Sequence, residues 1–392
     1  MGFAEPDRMR AGLQAVRDAP AATVGTITVD SFTRLNQHTQ AAAALRRGEP
    51  LNGYPIVAHS SAVTRRVVDG LLGPEFPVQV RHGSPQPRRI IEATIKAGIR
   101  ATEGGPVSYC LPYGRTPLRI ALSEWRASCQ ILGAAGCHLE SFGGCMLGQL
   151  CPPSLLLAIG VLEGMFFRAH GVTSISLSYT QQTNRWQDIA AIRSLRRLAA
   201  DHLPDIDLHV VMYTAMGVYP QTRTGADRAL AESVVTAVIG GAERLIVKTR
   251  AEAYGLPSIE ENIAAITDAA QFARTHASPP PTVDGLATRY EQEVHGEAKT
   301  LIGEVLSLDD DVGRAIAKAF RAGVLDIPYC VHPDNRGLSR SVIDEDGCLR
   351  WVAVGQMPIA RSAITPASEV TADRMLDMLT YTRRRFDQAD GV

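Results

Sequence analysis

Through the first two thirds of the chain, short β-branched or apolar runs that end in a polar residue alternate with amphipathic, alanine-rich segments. The strand-like runs fall at 24–30, 54–59, 78–82, 100–109, 137–142, 173–179, 208–213 and 244–248, the fourth reading either as one strand or as a strand, a turn and another strand. Helical patterns lie between them at 41–47, 88–97, 115–134, 154–170, 186–200 and 223–241. About eight strands alternating with helices predict parallel βα units. Eight such units favour a TIM-type (β/α)8 barrel over an open doubly wound sheet, because no GxGxxG or P-loop follows any strand. The barrel is expected over 1–277. The tract SPPPT at 278–282 is a stiff, turn-rich break. Beyond it, 282–392 reads as a smaller C-terminal α+β extension. It carries helices near 286–306 and 309–322, an irregular segment at 326–361 and a last amphipathic helix around 372–386. No solenoid repeat or low-complexity tract interrupts this plan.

Composition narrows the function classes. The 392 residues are 45% apolar and 21% charged with a formal net charge of −1, which leaves no electrostatic footprint for nucleic acid or an anionic membrane. Seven cysteines, an odd number spread along the chain, fit reduced thiols in a cytoplasmic protein. The N-terminal MGFAEPDRMR has no apolar signal core, and Pro6 breaks a myristoylation pattern. The most apolar run, 152–167, carries Glu163 and is too short to span a bilayer, so it reads as a buried helix.

In a parallel barrel the active site is built at the C-terminal ends of the strands. Those ends here are Arg34, His59, Arg81, Glu103, Glu140, Tyr179, Tyr213, Lys248 and Glu252. A ring so rich in guanidinium, carboxylate and phenol suits a small substrate bearing two charges. The stretch GIRATEGGPVSYCLPY at 98–113 is central. Glu103 stands against Gly104 and Gly105, where a missing Cβ allows close approach, and Tyr109 and Tyr113 follow as hydroxyl donors. The plain alternative is a glycine turn with solvent-facing tyrosines. Arg34 and Arg81 could grip carboxylates bidentately, or they could be rim arginines in surface ion pairs. Lys248, with Glu252 four positions on, is open to three readings: a Schiff-base lysine, a donor to a cofactor, or one half of an ion pair that closes a loop. Metal chemistry is poorly supported, since Cys137, His138, Cys145 and Cys151 match no zinc spacing. There is no HExxH, G-x-S-x-G or Walker motif.

The segments TVDSFTRLNQ, LNGYPIVAH, PVQVRHGSP, TEGGPVSYCLPY, CPPS, QQTNRWQDIAA, MGVYPQ, IVKTRAEAYGLP, AFRAGVLDIPY and DGCLRW, in this order over about residues 20 to 360, resemble the large (epsilon) subunit of adenosylcobalamin-dependent glutamate mutase, also called methylaspartate mutase. The resemblance implies a carbon-skeleton isomerase that interconverts glutamate and 3-methylaspartate by radical rearrangement. It also implies a barrel subunit that forms a homodimer, and a separate small subunit that carries the cobalamin-binding domain and its axial histidine. By the same resemblance, Arg34 and Arg81 are two members of an arginine claw on the substrate carboxylates. Glu103 holds the substrate ammonium with Tyr109 and Tyr113 as hydroxyl partners, and Lys248 and Glu252 contact the adenosyl ribose.

Two departures stand out. The family's third claw arginine lies on a strand before the segment at 24–30, whereas the residues preceding that point here look helical. The first barrel strand is therefore expected to be missing or rebuilt, with Arg8 or Arg10 as substitutes. The cobalamin signature D-x-H-x-x-G is also absent, because in DLHVVM the last position is Met212. The corrinoid must then come from another chain. Two rival readings remain: a cobalamin-independent lyase or isomerase that uses Lys248 or Glu103, and a non-catalytic relative that binds a small acid.

Overall fold

The computed structural model describes residues 1–146, 150–276, 284–366 and 370–388. Among them, one parallel sheet runs in simple sequence order through β1 (Gly25–Thr28), β2 (Val78–Arg81), β3 (Ala101–Gly104), β4 (His138–Gly144), β5 (Ser174–Thr180), β6 (Asp207–Tyr213) and β7 (Arg244–Ile246). Helices follow the strands, as alternating βα units require. The expected eighth strand is a correction. Tyr54 makes a single parallel bridge to Val29, and the chain then turns at Pro55, where Ala58 N and His59 N both donate to its carbonyl. Pro55 has no N–H to extend a ladder. The run at 100–109 is likewise one short strand followed by tight turns, because Glu103 is succeeded by two glycines and a proline.

The sheet curls. Side chains from strands far apart in the order meet in its interior: Arg81 Nη2 of β2 donates to the Tyr213 hydroxyl of β6 at 2.7 Å, and Arg244 Nη1 of β7 donates to Gln79 Oε1 of β2 at 3.1 Å. The two edge strands are not paired with each other among the described residues. They face each other across a cavity of about 400 Å³, which the helices Pro6–Arg17 and Ile259–Thr275 help to line. The segment before β1 is helical, as its sequence suggested. Arg8 lies over the Phe3 ring, and Arg10 caps the end of the helix Ser61–Val68 through the carbonyls of Arg66, Val67 and Asp69.

The main apolar core sits between the sheet and its helices. On β5 the serines point inward, while Ile175 and Leu177 face the helices. Helix Pro153–Ala169 is apolar on almost every side because it is covered on every side. It lies on β4 and β5 and is overlaid by the helix Asp284–Leu306. Its approach is close enough that a Cβ on Gly143 would stand 2.5 Å from the Gly160 Cα.

The SPPPT tract at 278–282 lies outside the described residues. Past it, the supposedly irregular segment contains an antiparallel hairpin, β8 (Arg340–Ile343) and β9 (Leu349–Ala353). The final helix is two, Ala372–Leu379 and Tyr381–Asp387. This extension is tied to the sheet's helices by paired bonds between the Gln187 side chain and the Leu349 backbone, at 3.1 and 3.0 Å.

One buried carboxyl group in this core holds the turn after β3. Glu163, on the helix Pro153–Ala169, accepts from Val107 N at 3.0 Å, Ser108 N at 2.9 Å, the Ser108 hydroxyl at 3.0 Å and the Ser141 hydroxyl at 2.8 Å. It thereby anchors the turn that delivers Tyr109. Burial pushes its carboxyl from 4.5 up to about 7 despite these four donors, and burial likewise raises Asp188 from 3.8 to about 7. Between pH 4.5 and 7 the unfolded chain ionises Glu163 while the folded chain keeps it protonated, so this group's contribution to stability is lost as pH rises through that window. A glutamine fits the same four partners, with its oxygen on the two amides and its NH2 on the two hydroxyls. Glu163→Gln should fold and should flatten the pH dependence of urea unfolding between pH 4.5 and 7 by on the order of 3 kcal/mol; an unchanged slope would contradict the assignment. Gly143→Ala should lower stability by about 1–3 kcal/mol through overpacking against Gly160, read as a shift in the same unfolding midpoint.

Candidate active site at the C-terminal mouth of the sheet

Glu103 and Glu140 occupy directly paired positions of β3 and β4 and are fully buried. Like charges side by side on one face of a sheet repel, so the interior must supply compensation. Glu103 Oε1 accepts from Arg81 Nε at 2.8 Å and from the Tyr109 hydroxyl, and Oε2 accepts from Gln79 Nε2 at 3.3 Å and lies 3.0 Å from the Tyr213 hydroxyl. Glu140 meets the same Tyr213 hydroxyl through Oε1, and its Oε2 accepts from Arg244 Nη2 and from the Ser176 hydroxyl at 3.4 Å. Burial raises the Glu140 carboxyl, with the Glu103 charge adding to the shift and Arg244 opposing it. Burial also pushes Tyr109 and Tyr213 up, so both phenols stay protonated.

The two glycines after Glu103 are structural necessities. Gly104 has φ +135°, and a Cβ there would lie 2.6 Å from both the Trp125 and Tyr109 rings. A Cβ on Gly105 would lie 2.1 Å from the Glu163 carboxylate. Tyr109 thus returns over Glu103, six residues earlier, because the intervening backbone can pass where no side chain fits. Tyr113 continues this turn and donates to the Cys145 carbonyl at 3.1 Å. The loop is held from outside by the C-terminal extension. The Leu118 amide donates to Asp334 Oδ2 at 2.7 Å, and His332 Nε2 bonds the Thr116 carbonyl at 3.0 Å.

Arg34 reaches the same place from the other side. It ends the short helix Ser31–Arg34, whose N-terminus Asp30 caps through Thr33 N at 3.1 Å. Its side chain passes over Gly83, where φ is +60° and a Cβ would sit 3.0 Å from the Arg34 Cδ. Among the described residues the Arg34 guanidinium forms neither an ion pair nor a hydrogen bond, while its backbone amide donates to the Asp30 carbonyl at 3.0 Å. His82, beside it, accepts from Ser84 N at 3.0 Å, and burial lowers it to about 4, which keeps the imidazole neutral.

Arg34, Arg81, Glu103, Tyr109 and Tyr113 therefore line one cavity of about 300 Å³, with Phe142 and Met216 forming part of its apolar wall. Lys248 and Glu252 stand apart from it. They pair with each other just beyond β7, and the Lys248 ammonium lies 5.7 Å from the centre of the Tyr219 ring. Burial lowers the Lys248 pKa and Glu252 opposes the shift. Neither Arg8 nor Arg10 lines the cavity; the third guanidinium inside the sheet is Arg244 of β7. Gln79 and Arg244 were missed because they do not stand at the C-terminal ends of their strands. The signal that finds Gln79 is the two-residue period, since it lies two positions before Arg81 and shares its face.

The interior also settles the histidines. His138 and His209 stack at 5.0 Å with ring planes 15° apart, and both His138 nitrogens bond serines of β5 at 2.9 Å. The histidine of D-x-H in DLHVVM is thus a packed strand residue, stacked on His138. Among the described residues no group of three or more His, Cys, Asp or Glu is placed to hold a metal ion, and no helix is long and apolar enough to cross a membrane. All seven cysteines are free and buried.

Comparison with known proteins places the chain in a family. Residues 1–376 match the family described as Methylaspartate mutase E chain (MutE). The chain is 32% identical to the glutamate mutase epsilon subunit of Desulfitobacterium hafniense (strain Y51), covering 85% of this chain and 72% of that protein. It is 31% identical to the epsilon subunit of Yersinia enterocolitica, over 88% of this chain and 75% of that one, and 32% identical to that of Halobacterium salinarum, again over 88% and 75%. A match that runs from residue 1 into the helix Ala372–Leu379 shows that the chain belongs to the methylaspartate mutase E-chain family.

Proposed function

We propose that this chain is the substrate-binding, catalytic subunit of an adenosylcobalamin-dependent mutase that interconverts L-glutamate and 3-methylaspartate. The observation that carries the reading is the convergence of Arg34, Arg81, Glu103, Tyr109 and Tyr113 on one cavity. Two guanidiniums and one carboxylate give that lining one net positive charge, which complements an amino diacid with two carboxylates and one ammonium. The volume of about 300 Å³ lies at the small end of ligand pockets, which run from roughly 300 to 1,000 Å³.

In this reading Arg34, whose guanidinium has no partner among the described residues, clamps one substrate carboxylate, and Arg81, already aligned by Glu103, clamps the other. Glu103 accepts from the ammonium, and the Tyr109 hydroxyl fixes the orientation of that carboxylate. Phe142 and Met216 exclude water. Adenosylcobalamin, when bound, supplies the radical chemistry. The residues suited to its ribose are Lys248 and Glu252, whose donor and acceptor groups stand at the same mouth of the sheet beyond β7. The corrinoid itself is assigned to a small subunit bearing D-x-H-x-x-G, because His209 is packed inside the sheet. Large apolar side chains are exposed on loops at this mouth: Leu35 at 56%, Val218 at 40%, Tyr254 at 72% and Leu256 at 73%. Such surface suits a docked partner. In the same reading residues 1–277 form a TIM-type unit, 282–392 buttress its loops, and the chain works as a cytoplasmic homodimer core.

The direct test is conversion of glutamate to 3-methylaspartate, followed by NMR, with the chain, a small D-x-H-x-x-G subunit and adenosylcobalamin. Tight cobalamin binding by this chain alone would contradict the division of labour, and borohydride trapping of substrate on Lys248 would favour a Schiff-base lyase. Arg81→Lys keeps the charge but loses the fork. It should cut kcat/KM by about 10- to 100-fold, the equivalent of about 1.5–3 kcal/mol for a charged hydrogen bond, with the fold intact by circular dichroism. Wild-type kinetics in that variant would remove Arg81 from the clamp.

A further inference from the structure

Tyr213 carries one proton, and its oxygen is asked to do more than one proton allows. It accepts from Arg81 Nη2 at 2.7 Å, lies 3.0 Å from Glu103 Oε2 and is within bonding distance of Glu140 Oε1. A phenol donates once. With both carboxylates ionised, one of the two oxygen–oxygen contacts would have no hydrogen between its atoms, in a fully buried place where such a contact is costly.

We infer that Glu103, Tyr213 and Glu140 form a relay that holds one proton more than the phenol's own, with Glu140 storing that proton away from the substrate cavity. In the stored arrangement the Glu140 carboxylic acid donates to the Tyr213 oxygen, and Tyr213 donates to the Glu103 carboxylate. In the delivered arrangement the Glu140 O–H bond breaks as a Tyr213 O–H bond forms, and the phenol's original proton passes to Glu103. Glu140 is left ionised beside Arg244 and Glu103 protonated beside the cavity. No atom or charge is gained or lost, and the reverse shift returns the proton. Only Glu103 of the two carboxylates lines the cavity, so Glu140 acts through Tyr213 and is a positioning residue.

The surroundings of Glu140 favour storage there. Facing it are Arg244 from β7, Glu103 from β3, Arg81 and Gln79 from β2, Tyr213 and His209 from β6, Ser176 from β5, and its own strand's His138, with the Cys145 thiol beyond. Burial keeps His138 neutral, lowering it to about 3, so the charges that face Glu140 are two guanidiniums and one carboxylate. Arg244 also bonds Gln79, which bonds Glu103, so the two ends of the relay share their cationic support. This places a proton source behind the residue proposed to hold the substrate ammonium, and it deepens that reading of the site.

The test uses the full chain without partner or cofactor. Infrared spectra are taken with and without 13C-glutamate labelling, at a pH well above 7, where Glu163 and Asp188 are ionised. The expected result is a glutamic-acid carbonyl band in the wild type that is absent in Glu140→Gln and retained, at a shifted frequency, in Tyr213→Phe. A wild-type spectrum with no such band overturns the relay without recourse to any variant, and so does a band that survives Glu140→Gln. In the reconstituted enzyme, Tyr213→Phe should lower kcat by about 10²-fold with KM little changed, and the alkaline fall of the wild-type pH profile should be lost in Glu140→Gln. A positive band without mutase turnover would count against the proposed function alone, and turnover without the band would count against the relay alone.

Discussion

Two carboxylates on adjacent strands, at paired positions and out of reach of water, set the terms for everything else inside this sheet. Leaving Glu103 and Glu140 uncompensated would cost several kcal/mol per ion. The interior answers with Arg81 and Arg244 from strands on either side, a phenol between the two acids, and amide and hydroxyl donors on the remaining lone pairs. A polar centre of this kind, fully bonded, is rigid and unique in geometry; partly bonded, it would be worse than an apolar one. The cavity of about 300 Å³ borders this network through Arg81 and Glu103. The groups offered to a ligand are held by groups the ligand never touches.

The loop after β3 shows how the sequence achieves this. Gly104 and Gly105 let the chain pass Trp125 and the Glu163 carboxylate, Glu163 caps the next two amides, and Tyr109 is set down on Glu103. Each step depends on an element that is remote in sequence. Trp125 comes from the helix Leu118–Ala134, Glu163 from Pro153–Ala169, and the far end of the loop is bonded by Asp334 and His332 of the extension. None of the extension's described residues lines the cavity, yet the extension bears on the loop that carries Tyr113.

Much of this was legible in the residues, in proportion to how local the cause is. The alternation of apolar runs and amphipathic segments located seven strands and the main helices, because each pattern reports its own burial. It failed at 54–59, where Pro55 outweighs the apolar residues, and at 326–361, where a hairpin is stabilised by the helices beneath it more than by its own propensity. Strand-end reasoning named Arg34, Arg81 and Glu103, and the glycine-rich stretch at 98–113 named Tyr109 and Tyr113, all of which line one cavity. It passed over Gln79 and Arg244, whose importance comes from the curl of the sheet and so depends on strands far away in the chain. Glu163 was visible as a charge in an apolar helix; that it serves the 104–109 turn follows only once the helix is packed on β4.

The curl itself is the last consequence of the buried acids. A closed barrel is held by a continuous ladder, but here β1 and β7 are unpaired to each other and flank a cavity of about 400 Å³. What draws the two ends of the sheet toward one another is the interior network, with Arg81 of β2 bonded to Tyr213 of β6 and Arg244 of β7 bonded to Gln79 of β2 and Glu140 of β4. The same bonds that orient Glu103 and Arg81 at the cavity therefore do the work of the missing ladder. Closure and chemistry cannot be separated in this chain. A substitution that frees Arg244 would relax the seam and misplace Glu103 together, whereas one that shortens Arg34, whose guanidinium is bonded to none of the described residues, would leave the sheet as it is and alter only what the cavity can hold.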